Sequence, residues 1–169
     1  VNTVSIKVNL TIGNGTNRLV LVKSGSAVDA NPSDLTTYNA DTVFGNGSQI
    51  GTGNYVVYTG TGNSVTLTNL AARTMYHFAV FEFNNSGGLE DYLTTSPGTG
   101  SQATIMTAFH SGNWSDVNTW GGVLPIATDD VFINDTCVVT LDQDATIASV
   151  TVGQGLSGTL QTSKTILTN

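Results

Sequence analysis

The sequence predicts an all-β fold in two modules, a β-sandwich followed by the capped start of a right-handed parallel β-helix. Three observations carry this expectation. Residues 65–83 read as a strand, a four-residue corner and a second strand, with Tyr76, Phe78 and Val80 sharing one face by the two-residue strand period. After residue 122, short β-runs follow one another without hairpin dipeptides between them, which suits stacked coils better than a sandwich. The composition agrees: 39% hydrophobic residues can form a core, while 19 glycines and only 10% charged residues suit β-structure with many turns.

Charge and cysteine content exclude several classes. Twelve acidic against five basic residues give a formal net charge of -7, which repels a phosphate backbone and argues against nucleic acid as a partner. The single Cys137 has no partner for an internal disulfide and reads as a small buried hydrophobe. No apolar run approaches the roughly 20 residues of a membrane span, and the opening residues lack a signal-peptide pattern. A start without Met, directly in strand-like sequence, leads us to expect a segment of a longer protein.

Taken in order, residues 4–11 alternate as a strand, Gly13-Asn14-Gly15-Thr16-Asn17 supplies turn chemistry, and residues 18–23 form the next strand. Residues 24–53 form a polar insertion of about 30 residues, far longer than the usual 4–6-residue connection. Leu35, Tyr38, Val43, Phe44 and Ile50 are its apolar anchors. Strands follow at 55–58, 65–70 and 74–83, a turn cluster at 84–88, and a closing strand at 99–106. Tyr76 sits where its ring can enter the core while its hydroxyl reaches back to upstream backbone, a tyrosine corner.

The run Leu70-x-x-x-Thr74-x-Tyr76-x-Phe78-x-Val80 resembles the passage between strands E and F of a fibronectin type III domain. Phe44-Gly-x-Gly-x-x-Ile50-Gly-Thr-Gly-Asn-Tyr55-Val-Val-Tyr58 looks like a variant of that domain found in surface proteins exported by the bacterial type IX secretion system. The resemblance implies a sandwich over residues 1–107 and a secreted, cell-surface location. The family pattern has a Trp in strand B where this chain has Leu10, and no clear strand precedes it. The first strand is therefore expected to be missing or supplied from upstream.

Residues 108–121 read as a linker carrying Trp114 and Trp120, and residues 122–169 as the β-helix start. Expected strands lie at 130–133, 138–141, 148–152, 159–160 and 165–167. The order of two tryptophans, Pro125, Asp129-Asp130-Val-x-Ile133 and Ser149-Val-Thr-Val-Gly153 resembles the opening coils of secreted bacterial β-helix proteins. Trp114 and Trp120 are expected to cover the open end of the first coil. Stacked repeats need about three units to bury a shared core, so further coils are expected beyond residue 169.

The search for chemistry returns no complete catalytic constellation. His77 and His110 have no second ligand at metal spacing, and no Ser or Cys stands in a nucleophile motif. Asp129, Asp130, Asp142 and Asp144 read as turn aspartates, with a Ca²⁺ site at Asp142 and Asp144 as the sharper alternative. The glycine-rich runs at 44–48 and 50–54 lack the spacing and the Lys of a phosphate cradle. Tyr55, Tyr58, Phe81, Phe83 and Tyr92 could form an aromatic platform for sugar rings or a protein partner; the alternative is that the insertion folds over them with Leu35, Tyr38 and Phe44. Asp41-Thr42-Val43 is similar to the O-glycosylation acceptor of the same bacterial group, marking Thr42. Six Asn-x-Ser/Thr sequons, beginning at Asn9, Asn14, Asn46, Asn84, Asn113 and Asn134, are what an Asn-rich sequence generates by chance.

The expected function is a non-catalytic spacer and adhesive, carbohydrate- or protein-binding module of a large secreted bacterial surface protein, without a cofactor. Two other readings stand beside it: an accessory region of a β-helix polysaccharide lyase or glycosidase, and a type IX secretion cargo bound to its export machinery.

Overall fold

Leu19, Val20, Leu21 and Val22 are fully buried, so both faces of the strand that carries them are covered. That strand is the centre of the larger of two compact units in the computed structural model, which describes residues 4–153, 158–162 and 166–168. The chain is all-β, with its strands distributed over several sheets. Among the described residues the one helical element is a single 3-10 turn, Val117–Trp120.

The first unit spans Ser5–Leu70 and Thr74–Thr104. Its strands are β1 (Val4–Asn9, from Ser5 on), β2 (Asn17–Ser24), β3 (Tyr55–Gly60), β4 (Ser64–Leu70), β5 (Met75–Asn84), β6 (Asp91–Tyr92) and β7 (Gly98–Ala103). The largest sheet runs β3-β2-β5-β6, with β7 also on β5, and its pairings are antiparallel. β1 pairs with β4 in a separate sheet, an arrangement consistent with a β-sandwich. A bulge between Val20 and Leu21 shifts the register of β2 against β3.

β5 buries side chains on both faces. Leu19, Leu21, Val56, Ala79, Phe81, Phe83 and Tyr92 form one cluster, and Val28, Tyr38 and Ile50 of the insertion pack against it. The insertion thus roofs the sheet, but two of its expected anchors go elsewhere. Leu35 is 68% exposed and holds a left-handed φ of 59°. Phe44 lies edge-on to Tyr76 at 5.1 Å and to Tyr55 at 5.3 Å. Around it the insertion runs beside β4: Thr68 N–H donates to Thr42 O at 2.9 Å and Phe44 N–H to Thr68 O at 3.1 Å.

The strand expected over 99–106 is two strands. β7 ends at Ala103, and Thr104 is tied to Thr74 by its backbone N–H and its hydroxyl. Met106 begins β8 in the second unit, where it is fully buried.

The second unit holds Ala71–Arg73 and the chain from Ile105 onward. Its strands are β8 (Met106–Ala108), β9 (Gly112–Asn113), β10 (Asp130–Ile133), β11 (Val138–Leu141), β12 (Ala145–Ile147), β13 (Ser149–Val152), β14 (Thr159–Thr162) and β15 (Ile166–Thr168). Among the described residues the strand pairings of this unit are parallel. β10 lies between β8 and β13, β11 between β9 and β14, and β12 beside β15. Successive strands of the chain enter successive sheets, and Val131, Ile133, Val139, Leu141 and Ile147 point into one core. Of the expected run at 165–167, Thr165 lies outside the described residues.

Residues 108–121 are not a linker. They carry β9 and the 3-10 turn, and they contribute Ala108, Trp114 and Trp120 to the core of the second unit. Both indoles are too large and apolar to remain in a solvated connection when a core is adjacent.

Candidate functional site

The five aromatic residues expected as a platform do not form an open surface. Phe81, Phe83 and Tyr92 are 1%, 7% and 6% exposed, because Tyr38, Val28 and Ile50 cover that side of the sheet. Tyr55 is half-buried against Phe44. The Tyr58 hydroxyl accepts the Gly62 N–H, and a Cβ at Gly62 would sit 2.6 Å from that oxygen, so a larger residue there would push the Tyr58 ring aside.

Phe83 and Tyr92 do meet a pocket at its wall. It measures about 270 Å³ and is also lined by Tyr38, Asn17, Thr37 and Glu90. The rings of Phe83 and Tyr92 lie 4.9 Å apart, and those of Tyr38 and Tyr92 6.0 Å apart and tilted by 59°. The Tyr92 hydroxyl donates to Thr36 O at 3.0 Å. Its pKa is pushed up to about 12, first by burial and then by the nearby Glu90 carboxylate.

Glu90 was not singled out by sequence. It is 3% exposed. Its Oε1 accepts the Thr37 hydroxyl at 2.6 Å and its Oε2 accepts the Gly88 N–H at 2.9 Å. The Thr37 hydrogen bond, more than the backbone donors, holds this carboxyl below the usual range, against the opposing effect of burial. The group therefore offers an ionised acceptor beside three aromatic rings. Its partners lie 53 residues upstream in sequence for Thr37 and only two for Gly88, so no local pattern announces it.

A second polar network holds the base of the insertion. Asp29 accepts from Lys23 Nζ at 2.6 Å and from Asn54 Nδ2 at 2.9 Å, and the fully buried Asn54 also donates to Ile50 O at 3.0 Å. Lys23 first and Asn54 second keep the Asp29 carboxyl low.

Of the four aspartates singled out in the second unit, three accept hydrogen bonds, and only Asp129 does so within a local turn. Asp142 accepts the Ser115 hydroxyl and the Ser115 N–H, at 2.5 and 3.0 Å, which lowers its pKa, the hydroxyl contributing most. Asp144 is exposed. Asp129 accepts the Ile126 N–H at 2.8 Å, and Asp130 accepts the Ser149 hydroxyl at 2.6 Å. Among the described residues, no group of three or more His, Cys, Asp or Glu stands together to hold a metal ion. Burial pushes the Cys137 thiol up, leaving it protonated rather than nucleophilic at neutral pH.

His77 is half-buried on β5, opposite Lys23 and Ser101, and His110 is exposed. Tyr76 is 2% exposed with Phe44 edge-on to its ring. Thr42 is exposed while its carbonyl holds β4, and Asp41 Oδ1 accepts the Val43 N–H at 2.8 Å.

These arrangements define an all-β protein with a roofed antiparallel sheet in one unit and parallel stacked strands in the other. No protein-family model, curated protein or solved structure matches the chain. No helix among the described residues is long and apolar enough to cross a membrane.

Proposed function

We propose that this chain is a non-catalytic spacer and binding segment of a large secreted bacterial cell-surface protein. In this reading the first unit is a fibronectin type III-like sandwich that contacts glycans or neighbouring surface proteins. The second is the start of a right-handed parallel β-helix, closed at one end by Trp114 and Trp120. Support for the spacer role comes from the parallel registers Asp130 to Ser149, Val138 to Thr159 and Ala145 to Ile166, each about 20 residues along, within the range of stacked repeat architectures.

The observation that carries the binding role is the pocket that Tyr38, Phe83 and Tyr92 line together with Glu90, whose carboxyl is held below the usual range. Aromatic edges and faces with a fixed acceptor suit a sugar ring and its hydroxyls. Thr42, exposed beside β4, is the position at which O-glycosylation is expected.

A glycan array probed with the 169-residue chain and with its Tyr38→Ala variant tests the binding role. Signals that disappear in the variant, while its circular dichroism is unchanged, support it. An array blank for both proteins would remove the glycan part of the reading. Protease treatment of intact cells carrying the parent protein tests location: protection of this segment until lysis would overturn a surface role.

A further inference from the structure

Two tyrosine hydroxyls of the first unit are tied to backbone, and both belong to rings that line the same pocket. The Tyr38 hydroxyl accepts the Ser33 N–H at 3.0 Å, and the Tyr92 hydroxyl donates to Thr36 O at 3.0 Å. Each ring is thereby held at its far end before any ligand arrives. Phe83 adds a third ring, tilted by 37° to that of Tyr92, while Tyr38 and Tyr92 are tilted by 59°. None of these pairs is stacked in parallel, so the rings turn their electron-rich faces in different directions around about 270 Å³ of space.

The charge of this wall has one sign. Glu90 lines the pocket, and the partners of its carboxylate are neutral, the Thr37 hydroxyl and the Gly88 N–H. Among the described residues the ion pairs are Arg18 with Glu82, Lys23 with Asp29 and Arg73 with Asp129, and none involves Glu90. The described lining residues include no Lys, Arg or His. A carboxylate with hydrogen bonds but no counter-charge keeps its field in the space beside it. Tyr92 senses that field: its pKa is raised first by burial and second by Glu90, with Tyr38 and Asp34 adding to the effect.

An ammonium group answers both features. Aromatic faces attract a cation within about 6 Å of the ring centroid, more strongly where water is excluded. The Glu90 carboxylate adds a second attraction, and the same charge repels an acidic group. The rest of the wall is polar and uncharged, with Asn17, Thr37, Thr59 and Ser86 able to meet hydroxyls. A neutral sugar or an N-acetylated one uses the rings and these polar groups but leaves the charge of Glu90 unanswered.

We propose that this pocket selects a sugar carrying a free ammonium group, a hexosamine, with the ammonium set against Tyr38, Phe83 and Tyr92 on the side of Glu90. The inference rests on the glycan reading of the same pocket and narrows it to one class of sugar.

The test titrates the isotope-labelled 169-residue chain with the methyl glycosides of glucosamine, N-acetylglucosamine, glucose and glucuronic acid, at mildly acidic pH where the free amine is protonated. Expected are amide shifts at Asn17, Thr59 and residues 86–92 with the glucosaminide. Its affinity should exceed that of the glucoside and the N-acetylglucosaminide by at least about tenfold, with the glucuronide weakest of all. Added salt should shrink the preference. Glu90→Gln should bring the glucosaminide down to the affinity of the glucoside. Because Glu90 is buried, a second variant keeps the test independent of folding: Ser86→Lys puts a cation on an exposed part of the wall and should weaken the glucosaminide by at least about threefold without shifting the unfolding temperature. Equal affinity for the glucosaminide and the glucoside would overturn this proposal and leave the glycan reading standing. Absence of shifts with all of these sugars would overturn both, and choline binding at the same amides would then assign the pocket to ammonium ions that are not sugars.

Discussion

Trp120 donates its indole N–H to the backbone carbonyl of Trp114 at 2.9 Å, while the two rings meet edge-on with centroids 4.8 Å apart. One residue thereby anchors the start of the parallel stack twice, through an aromatic contact and through a buried hydrogen bond. Trp114 in turn donates its backbone N–H to Thr140 O at 2.7 Å, joining the pair to β11.

Trp120→Ala should therefore destabilise the second unit by about 3–5 kcal/mol, measured by urea unfolding of the 169-residue chain. Trp120→Phe retains a ring but leaves the Trp114 carbonyl unpaired, and should cost less, with about 1–3 kcal/mol from that carbonyl. An unchanged midpoint for Trp120→Ala would be incompatible with its place in the core.

Phe81 distinguishes core from platform. At 1% exposure beneath the insertion, Phe81→Ala should cost about 3–5 kcal/mol of stability. A binding residue on an open surface would change stability by only about 0.5 kcal/mol or less. Thermal unfolding of the variant separates the two.

Acid sensitivity follows from the lowered carboxyls of Asp29, Glu90 and Asp142. A carboxyl whose folded pKa lies below its unfolded value contributes stability that is fully present above the unfolded value and is lost as pH falls through the folded one. Stability should thus be level on this account above pH 5 and decline below about 4.3, the ordinary glutamate range. Asp142→Asn should flatten part of that decline, and denaturant midpoints across pH 2–6 would reveal it. A decline identical in the variant would deny the Ser115 contacts any role in it.

At the alkaline end Tyr92 has the opposite sign. Its folded pKa is raised to about 12, so its contribution is complete below the unfolded value, roughly 10, and is lost as pH rises through 12. Tyr92→Phe should remove this alkaline component and cost about 1 kcal/mol at neutral pH, since Thr36 O loses its donor. Absorbance titration near 295 nm should show one tyrosine fewer ionising at the high end.

Strand positions were legible wherever the period was undisturbed. The runs at 130–133 and 138–141 coincide with β10 and β11, and the corner at 71–74 separates β4 from β5 as its pattern implies. β6, β9 and β12 were not expected, being two or three residues long and too short to display alternation. Tyr38 was legible as an anchor because an isolated aromatic in a polar insertion has few alternatives to burial. Val28 was not, since nothing local distinguishes it from a solvated valine.

The sequence by itself determined the all-β character, the turn that separates β4 from β5 and the presence of an insertion that needed a surface to pack on. These rest on local properties: side-chain period, turn residues and composition. Tertiary structure alone decided that Trp114 and Trp120 belong to a core, that Glu90 ties Thr37 to Gly88, and that Tyr38, Phe83 and Tyr92 line one pocket with it. Each of these depends on which side chains meet across tens of residues, and hydrogen bonding, burial and empty space are properties of such meetings rather than of any one stretch of chain.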